Sequence, residues 1–229
     1  MRGDLISGIL RPARIPVLTV RCELDIELVA LELYELEVTE AREDFELEVK
    51  RTTQAARSGE VGDVGPARAL YRRFGIDPTR VRPSSEALLR RLKKGELLPR
   101  INSLVDVANA LSVQLQVPVG LYDLGKVRGD ELVVRLGAEG ESYTGIGKER
   151  VNVTGRICVA DAEGPCGNPS SDSARTMITT ETERAAWVYF LPVSDDALDR
   201  TAELIAVFGR GLVRMGQDKQ PESSDGTQL

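Results

Sequence analysis

The sequence predicts an α+β fold, and three observations predict it. Helix-forming segments with recognisable caps fill the first half, up to about Gln116. Short apolar runs bounded by Gly, Asp and Pro then follow. ELVVRL, ESYTGI, GRICVA and AAWVYFLP read as strands. A last helical stretch runs from roughly Asp195 to Val213.

Taken in order, Ile15 to Val20 reads as a short strand after Pro12. The stretch Glu23 to Arg57 carries two signals. LDIEL and LELYELEV alternate apolar and charged residues, as a strand does. Leu24, Leu28 and Leu31 also occur at helical spacing, and TEAREDFELEVKRTTQAA is rich in helix formers. A helix is expected over about Thr39 to Ala56, and the part before it stays open. SGEVGDVGP is a loop. Pro66 suits the first turn of a helix that reaches Phe74. GIDPTRVRP is a turn with an extended segment, because two prolines forbid helix. Ser84, Ser85 and Glu86 open a helix through Lys94, with Gly95 as its C-cap and Leu88, Leu89 and Leu92 as its apolar stripe. Asn102 or Ser103 caps the next helix, Leu104 to about Gln116, whose core face is Leu104, Val107, Leu111 and Leu115. GLYDLGKV reads as a turn, and GPCGNPSSDSARTMITTET as a loop between strands. The tail, MGQDKQPESSDGTQL, is polar and expected to be disordered.

Composition narrows the chemistry. The chain has 229 residues, a net charge of −6 and 41% apolar residues, enough for a core built on Leu, Val, Ile and Ala. It contains no histidine. That removes Ser-His-Asp and Cys-His catalysis, histidine bases and most transition-metal sites. Cys22, Cys158 and Cys166 are widely spaced, with no CxxC, so neither a disulfide framework nor a metal site is indicated. Cys166, in GPCG, is the cysteine to test as a nucleophile. No apolar run is long enough for a bilayer, and the N-terminal residues lack the features of a signal peptide. A cytoplasmic protein is expected.

Charge is unevenly placed. From Glu23 to Asp63 there are thirteen acids and four bases, whereas Ala67 to Asn109 holds ten Lys/Arg and four acids. Arg72, Arg73, Arg82, Arg90, Arg91 and Lys93 are therefore candidate contacts for a polyanion. With few aromatics interleaved, stacking on single-stranded bases is not indicated. Asp106 and Asn109 are three residues apart on one helix, with Ser112 close by. They form either a ligand-gripping pair or a solvated face. In GLYDLGKV, Gly120 permits close backbone approach and Tyr122 offers a hydroxyl. Asp172, Ser173, Arg175 and Thr176 crowd a carboxylate, two hydroxyls and a guanidinium into five residues. A ligand clamp and a turn with local side-chain-to-backbone bonds fit this composition equally. GIGKER has a lone GxG without the third glycine or following helix of a dinucleotide loop.

Four of these segments together resemble one family: YRRFGIDPTRVRPSSEALLRR, LPRINSLVDVANALSVQLQVPVGLYDL, the VVRLGAEGESYTGIG block and VADAEGP…SDSARTMIT. They are similar to the B3/B4 domain, the tRNA-editing domain of the bacterial phenylalanyl-tRNA synthetase β subunit, which also occurs in stand-alone proteins. The likeness runs from about Ala67 to Pro192. It implies a β-rich α+β fold of stacked layers with helices on the sheets. It divides the chain into an N-terminal strand and acidic, partly helical segment (1–65), an editing-type domain with a terminal helix (66–213) and a tail (214–229). It also implies a pocket for the aminoacylated 3′ end of a mischarged tRNA. The editing Asn falls on Asn109. Ala108 stands where a Thr commonly precedes it, Gly120 where a His follows the proline, and Asp172 is the acid nearest the family's loop Glu.

The resemblance thus implies a trans-acting aminoacyl-tRNA deacylase without cofactor or metal, with Asn109 and Asp172 as catalytic residues. Asp106, Gly120, Tyr122, Ser173 and Thr176 would bind substrate, and the six basic residues would hold tRNA. Asp172 or Asp106 would take the substrate's α-amino group or orient the water. The expected partners are a tRNA acceptor end and a synthetase, with neither membrane nor DNA. The alternative is a non-catalytic amino-acid or tRNA-binding module associated with a synthetase, and a third reading is a purely structural interaction module.

Overall fold

The computed structural model describes residues 18–219. In chain order these form β1 (Thr19–Cys22), β2 (Val29–Tyr34), α1 (Glu46–Ser58), α2 (Gly65–Arg73), α3 (Ser84–Lys93), α4 (Ser103–Leu115), β3 (Val119–Asp123) and β4 (Glu131–Leu136). They continue with β5 (Ser142–Tyr143), β6 (Val151–Asn152), β7 (Ile157–Asp161), β8 (Gly164–Asn168), β9 (Ser171–Asp172), β10 (Ala185–Tyr189), α5 (Asp195–Leu204), β11 (Leu212–Met215) and β12 (Gln217–Lys219). The fold is α+β, β-rich and layered. A six-stranded sheet has the order β12-β1-β4-β7-β8-β9, a four-stranded antiparallel sheet the order β11-β2-β10-β3, and β5 pairs with β6.

The four-stranded sheet is the middle layer, and β10 shows why. Ala185, Trp187 and Tyr189 point to one side, into a core shared with Leu104, Val107 and Leu111 of α4. Ala186, Val188 and Phe190 point to the other, against Val134, Ile157 and Val159 of the six-stranded sheet. Successive side chains alternate faces. With apolar layers on both sides, the strand has no face left for a polar residue. One charge does enter the region between the sheets. Glu32 of β2 is buried, and it accepts hydrogen bonds from Leu18 N–H (2.7 Å), Arg184 (2.6 Å) and Arg214 (2.9 Å). Burial opposes its charge, but the amide and the two guanidiniums hold its pKa below the usual carboxylate value.

α3 and α4 start and stop where their caps place them. Gly95, at φ 85°, ends α3 in the left-handed region that favours glycine. Asn102 caps α4 by accepting from Val105 N–H at 2.9 Å.

Several sequence expectations need correction. The first strand lies at Thr19–Cys22, and residues 15–17 of the expected one fall outside the described residues. α1 begins at Glu46, seven residues after Thr39. Thr39 and Glu40 are extended because they pair with the start of α4: Ser103 N–H donates to Thr39 O at 2.9 Å, and Glu40 bridges Asn102. Ahead of them the alternating pattern prevails, as strand β2. GLYDLGKV is a turn only in its second half, at Leu124 to Lys126, since its first half belongs to β3 and pairs with β10. The Gly/Ser-rich segment from Gly164 to Asp172 is the hairpin β8–β9. The last helix stops at Leu204, passes through a π-helical turn (Ile205–Gly209) and gives way to β11, so Leu212 and Val213 are strand. The expected tail is ordered as far as Lys219, and 220–229 lie outside the described residues. Cys166 is buried and its thiol is pushed far up by burial, which removes it as a nucleophile.

Candidate functional site

A cavity of about 220 Å³ opens between α3, α4 and the free edge of β3. One stripe of α4 forms a wall: Val105, Ala108, Asn109 and Ser112 recur at helical spacing. Ser84 and Leu88, one turn apart, contribute from α3. Val119 and Leu121 come from β3, and Ser170, Ser171 and Asp172 from the β8–β9 hairpin. Ile101, Ile146 and Met177 stand at the mouth as exposed apolar side chains, and Ile178 completes the lining. The interior is mainly apolar with a few polar groups, the usual character of a small-molecule site.

The hairpin that carries Asp172 is firmly held. Asn168 Oδ1 accepts from Ser170 N–H (2.8 Å) and Ser171 N–H (3.0 Å), and the Ser170 hydroxyl donates to Arg82 O at 2.7 Å. The Tyr143 hydroxyl donates to Ser171 O. Across the cavity, Asn102 Nδ2 donates to Ile178 O at 3.3 Å, tying the cap of α4 to the far wall.

β3 presents an unpaired edge here. Phe190 N–H donates to Pro118 O, which fixes the hydrogen-bonding register with β10. By alternation the amides of Val119, Leu121 and Asp123 face away from β10. Asp123 N–H donates to Thr176 O at 2.9 Å, and Leu121 N–H donates to Asp172 Oδ2 at 3.3 Å. The Val119 N–H has no such acceptor among the described residues, and its residue lines the cavity.

The other oxygen of Asp172, Oδ1, is shut off from solvent, and the group it faces is the equally enclosed hydroxyl of the fully buried Tyr122. The two groups meet over Gly167, where a Cβ would lie 2.6 Å from the tyrosine hydroxyl and 2.9 Å from Oδ1. Burial pushes the Asp172 pKa from 3.8 up to about 7, against the smaller downward pulls of the Leu121 N–H and the Tyr122 hydroxyl. Burial also raises the Tyr122 phenol, and the Asp172 charge adds to it.

Of the residues expected at the site, Asn109 and Asp172 are brought together on one cavity. Asn109 is partly exposed, and its amide makes no hydrogen bond among the described residues. Asp106 is turned elsewhere. It is fully buried, accepts from Arg100 Nε at 2.7 Å and Ile101 N–H at 2.8 Å, and so braces the connector that carries Ile101. Gly120 and Tyr122 lie on the opposite face of β3 from Val119 and Leu121. The glycine is required because a Cβ there would stand 2.5 Å from the Tyr122 hydroxyl. Ser173 and Thr176 are buried and spent on local structure. Ser173 Oγ accepts from Arg175 N–H (3.1 Å), and the Thr176 hydroxyl donates to Cys166 O (3.3 Å). Arg175 pairs with Asp161 at 2.8 Å. None of these six residues lines the cavity.

The basic run divides in the same way. Arg68 and Arg100 are engaged by Glu86 and Asp106. Arg73 pairs with Asp25, and Arg91 binds Leu97 O at 2.8 Å and Glu96 at 3.5 Å. Arg72, Arg82, Arg90 and Lys93 carry no salt bridge among the described residues. Arg72, Arg90 and Lys93 are exposed, while Arg82 is half-buried and two residues from Ser84 at the cavity. Arg90, Arg91 and Lys93 sit at the C-terminal end of α3, the end away from the cavity.

Sequence reasoning missed Ser84, Leu88, Ile101, Val105, Val119, Leu121, Ile146, Ser170, Ser171, Met177 and Ile178. Only the i, i+4 spacings of Ser84 with Leu88 and of Val105 with Asn109 left a readable signal. Among the described residues there is no cluster of three His, Cys, Asp or Glu side chains able to hold a metal, and no helix is long and apolar enough to cross a membrane.

Comparison with known proteins gives a consistent result. Phenylalanine–tRNA ligase β subunits are similar in part. The one from Symbiobacterium thermophilum is 34% identical over 87 residues, covering 38% of this chain and 10% of the relative. Those from Carboxydothermus hydrogenoformans (31% over 128 residues, 54% and 16%) and Geobacter metallireducens (30% over 168 residues, 58% and 20%) match longer stretches. The chain thus spans between a tenth and a fifth of the length of these curated relatives. Among solved structures it is similar to an N-terminal fragment of the phenylalanyl-tRNA synthetase β subunit from Pyrococcus horikoshii, at 14% identity and a TM-score of 0.48, covering 89% of this chain and 52% of that one. The B3/4 domain matches residues 66–192, which include every residue that lines the cavity. The chain belongs to the B3/4 domain family.

Proposed function

We propose that this chain acts on aminoacyl-tRNA, as a trans-acting deacylase that hydrolyses the ester of a mischarged tRNA. One observation carries the reading. Asn109 and Asp172, 63 positions apart in sequence, converge on a single small cavity inside the segment matched by the B3/4 domain. The similarity to phenylalanine–tRNA ligase β subunits supplies the substrate class.

The chemistry suits a chain with no histidine. Water adds to the ester carbonyl carbon, the bond to the ribose oxygen breaks, and the proton lost by the water ends on that oxygen. The Asn109 amide, which makes no hydrogen bond among the described residues, orients the water or the carbonyl. The Val119 N–H, on the open edge of β3, is a backbone donor for the developing oxyanion. Asp172 anchors the aminoacyl group, and the vicinal ribose hydroxyl assists proton transfer. Positioning of this kind lowers a barrier by roughly 7–11 kcal/mol in favourable cases. The exposed Ile101, Ile146 and Met177 offer the terminal nucleoside an apolar rim, and Arg82, two residues before the cavity residue Ser84, offers the adjoining phosphates a charge. Arg72, Arg90, Arg91 and Lys93 would meet tRNA further from the mouth, and Arg73 would do so only by leaving Asp25.

The test is a deacylation screen of the purified chain against tRNAs mischarged with near-cognate and non-protein amino acids. Release of amino acid from one or more, above the spontaneous rate, is expected. No release from any, with the fold intact by circular dichroism, contradicts the reading.

A further inference from the structure

Two glycines stand where any side chain would strike one buried hydroxyl. A Cβ on Gly120 of β3 would lie 2.5 Å from the Tyr122 hydroxyl, and a Cβ on Gly167 of β8 would lie 2.6 Å from it. Neither glycine has a positive φ, so backbone conformation does not require them. Both keep a space open, and the phenol of the fully buried Tyr122 occupies it. A phenylalanine would fill nearly the same space without the cost of burying a hydroxyl. The hydroxyl therefore needs a partner that repays its burial.

That partner is Asp172. Gly167 is paired with Asp172 in the β8–β9 hairpin, and its Cβ would also lie 2.9 Å from Asp172 Oδ1. Oδ1 and the Tyr122 hydroxyl face each other there, both shut off from solvent, and neither has another hydrogen-bond partner among the described residues. The second oxygen, Oδ2, accepts from Leu121 N–H on the open edge of β3. Two consecutive residues of β3 thus meet one carboxyl. Leu121 reaches it with its amide at the strand edge, and Tyr122 with its phenol from the face turned away from the cavity. The carboxyl's own strand offers little support, since β9 is two residues long and ends the six-stranded sheet. The neighbouring guanidinium, Arg175, is committed to Asp161 through hydrogen bonds of 2.8 and 2.9 Å.

We propose that Tyr122 is a positioning residue for the cavity: its hydroxyl donates to Asp172 Oδ1 from behind β3 and fixes the rotation of the carboxyl, holding Oδ2 beside Leu121 in the cavity that Asn109 also lines. This rests on the reading of the cavity as a deacylation site in which Asp172 meets the substrate. It adds a residue that acts on the site without touching the substrate.

Carbon-13 NMR of the full chain tests the contact without any turnover. Burial lifts the Asp172 carboxyl to about 7, and a hydroxyl that donates to it pulls in the other direction. Tyr143, Cys158 and Cys166, the other ionisable groups around the pair, are all raised by burial and stay neutral in that range, while Asp161 and Arg175 stay charged as a pair. Tyr122→Phe should therefore move the Asp172 midpoint up by about one pH unit. In the wild type the Tyr122 Cζ signal should shift with the Asp172 midpoint, and this decides should the variant fail to fold. In single-turnover deacylation, Tyr122→Phe should slow the reaction by about tenfold, and should cost nothing further in an Asp172→Asn background. An unmoved midpoint in folded Tyr122→Phe, a Tyr122 signal indifferent to the titration, a wild-type rate, or losses that multiply across the two variants would each overturn the inference. A moved midpoint in a chain that deacylates no tRNA would sink the enzymatic reading and leave Tyr122 holding Asp172. Deacylation with an unmoved midpoint would do the reverse.

Discussion

The carboxyl of Asp172 can be tested through stability alone. Its pKa is about 7 in the folded chain, raised chiefly by burial from an ordinary value of 3.8. Between those values the folded chain keeps a proton that the unfolded chain has released. The contribution is fully present below the ordinary value and is lost as pH rises toward the folded value. At about 1.36 kcal/mol per pKa unit, that loss is about 4 kcal/mol. Asp172→Asn deletes the titration and preserves the shape. The variant should match the wild type near pH 4 and exceed it by up to about 4 kcal/mol near pH 8, the window set by the two pKa values. Equilibrium urea unfolding reads this directly, because the single tryptophan, Trp187, is fully buried in the core and reports unfolding. Glu32, Glu86 and Asp161, held low by their partners, titrate in the opposite sense, but they do so in both proteins and cancel in the difference. Parallel stability curves for the two proteins from about pH 4 to pH 8 would refute the reasoning, since no buried charge would then have been relieved.

Three other perturbations have defined outcomes. Asp106→Ala strips the half-buried Arg100 and the Ile101 N–H of a shared acceptor, and should lower stability by about 1–3 kcal/mol in chemical denaturation, Arg100 keeping Glu46 and Arg42 O. Gly120→Ala drives a Cβ to 2.5 Å from the buried Tyr122 hydroxyl, and should cost about 1–3 kcal/mol in the same assay, partly rescued by Tyr122→Phe. Reversing Arg90, Arg91 and Lys93 to Glu should weaken tRNA binding for all sequences and flatten the log–log salt dependence by about two units or more, measured by filter binding. An unchanged salt slope would mean that tRNA does not pass the outer end of α3.

The helical half of the fold was largely legible because its signals are local. Gly95 and Asn102 mark their helix ends through backbone geometry and a single hydrogen bond, both written in neighbouring residues. β3 was not legible, because Val119 to Asp123 is a strand only by virtue of β10, more than sixty positions later. The same holds at the end of the chain, where β2 supplies the partner that turns Leu212 and Val213 into strand. Asn109 and Asp172 could be singled out as chemistry in the right motifs, but their meeting depends on the packing of α4 against the β8–β9 hairpin. Asp106 misled because residues three apart share a helix side only loosely. At 100° per residue it lies roughly 60° from Asn109, outside the arc of Val105, Ala108, Asn109 and Ser112. Arg100 then captures it. Ser173 and Thr176 are polar residues whose hydroxyls serve the local backbone, and composition does not separate that use from ligand binding.

The central claim is that Asn109 and the cavity it lines carry out ester hydrolysis. Its most direct measurement is single-turnover deacylation of the tRNA that responds in the screen, by wild type and by Asn109→Ala. The Asn109 amide makes no hydrogen bond within the described residues, so the variant should keep its unfolding midpoint while its rate falls by about a hundredfold or more, the scale for losing one positioned polar group. A wild-type rate in a folded Asn109→Ala protein would contradict the account.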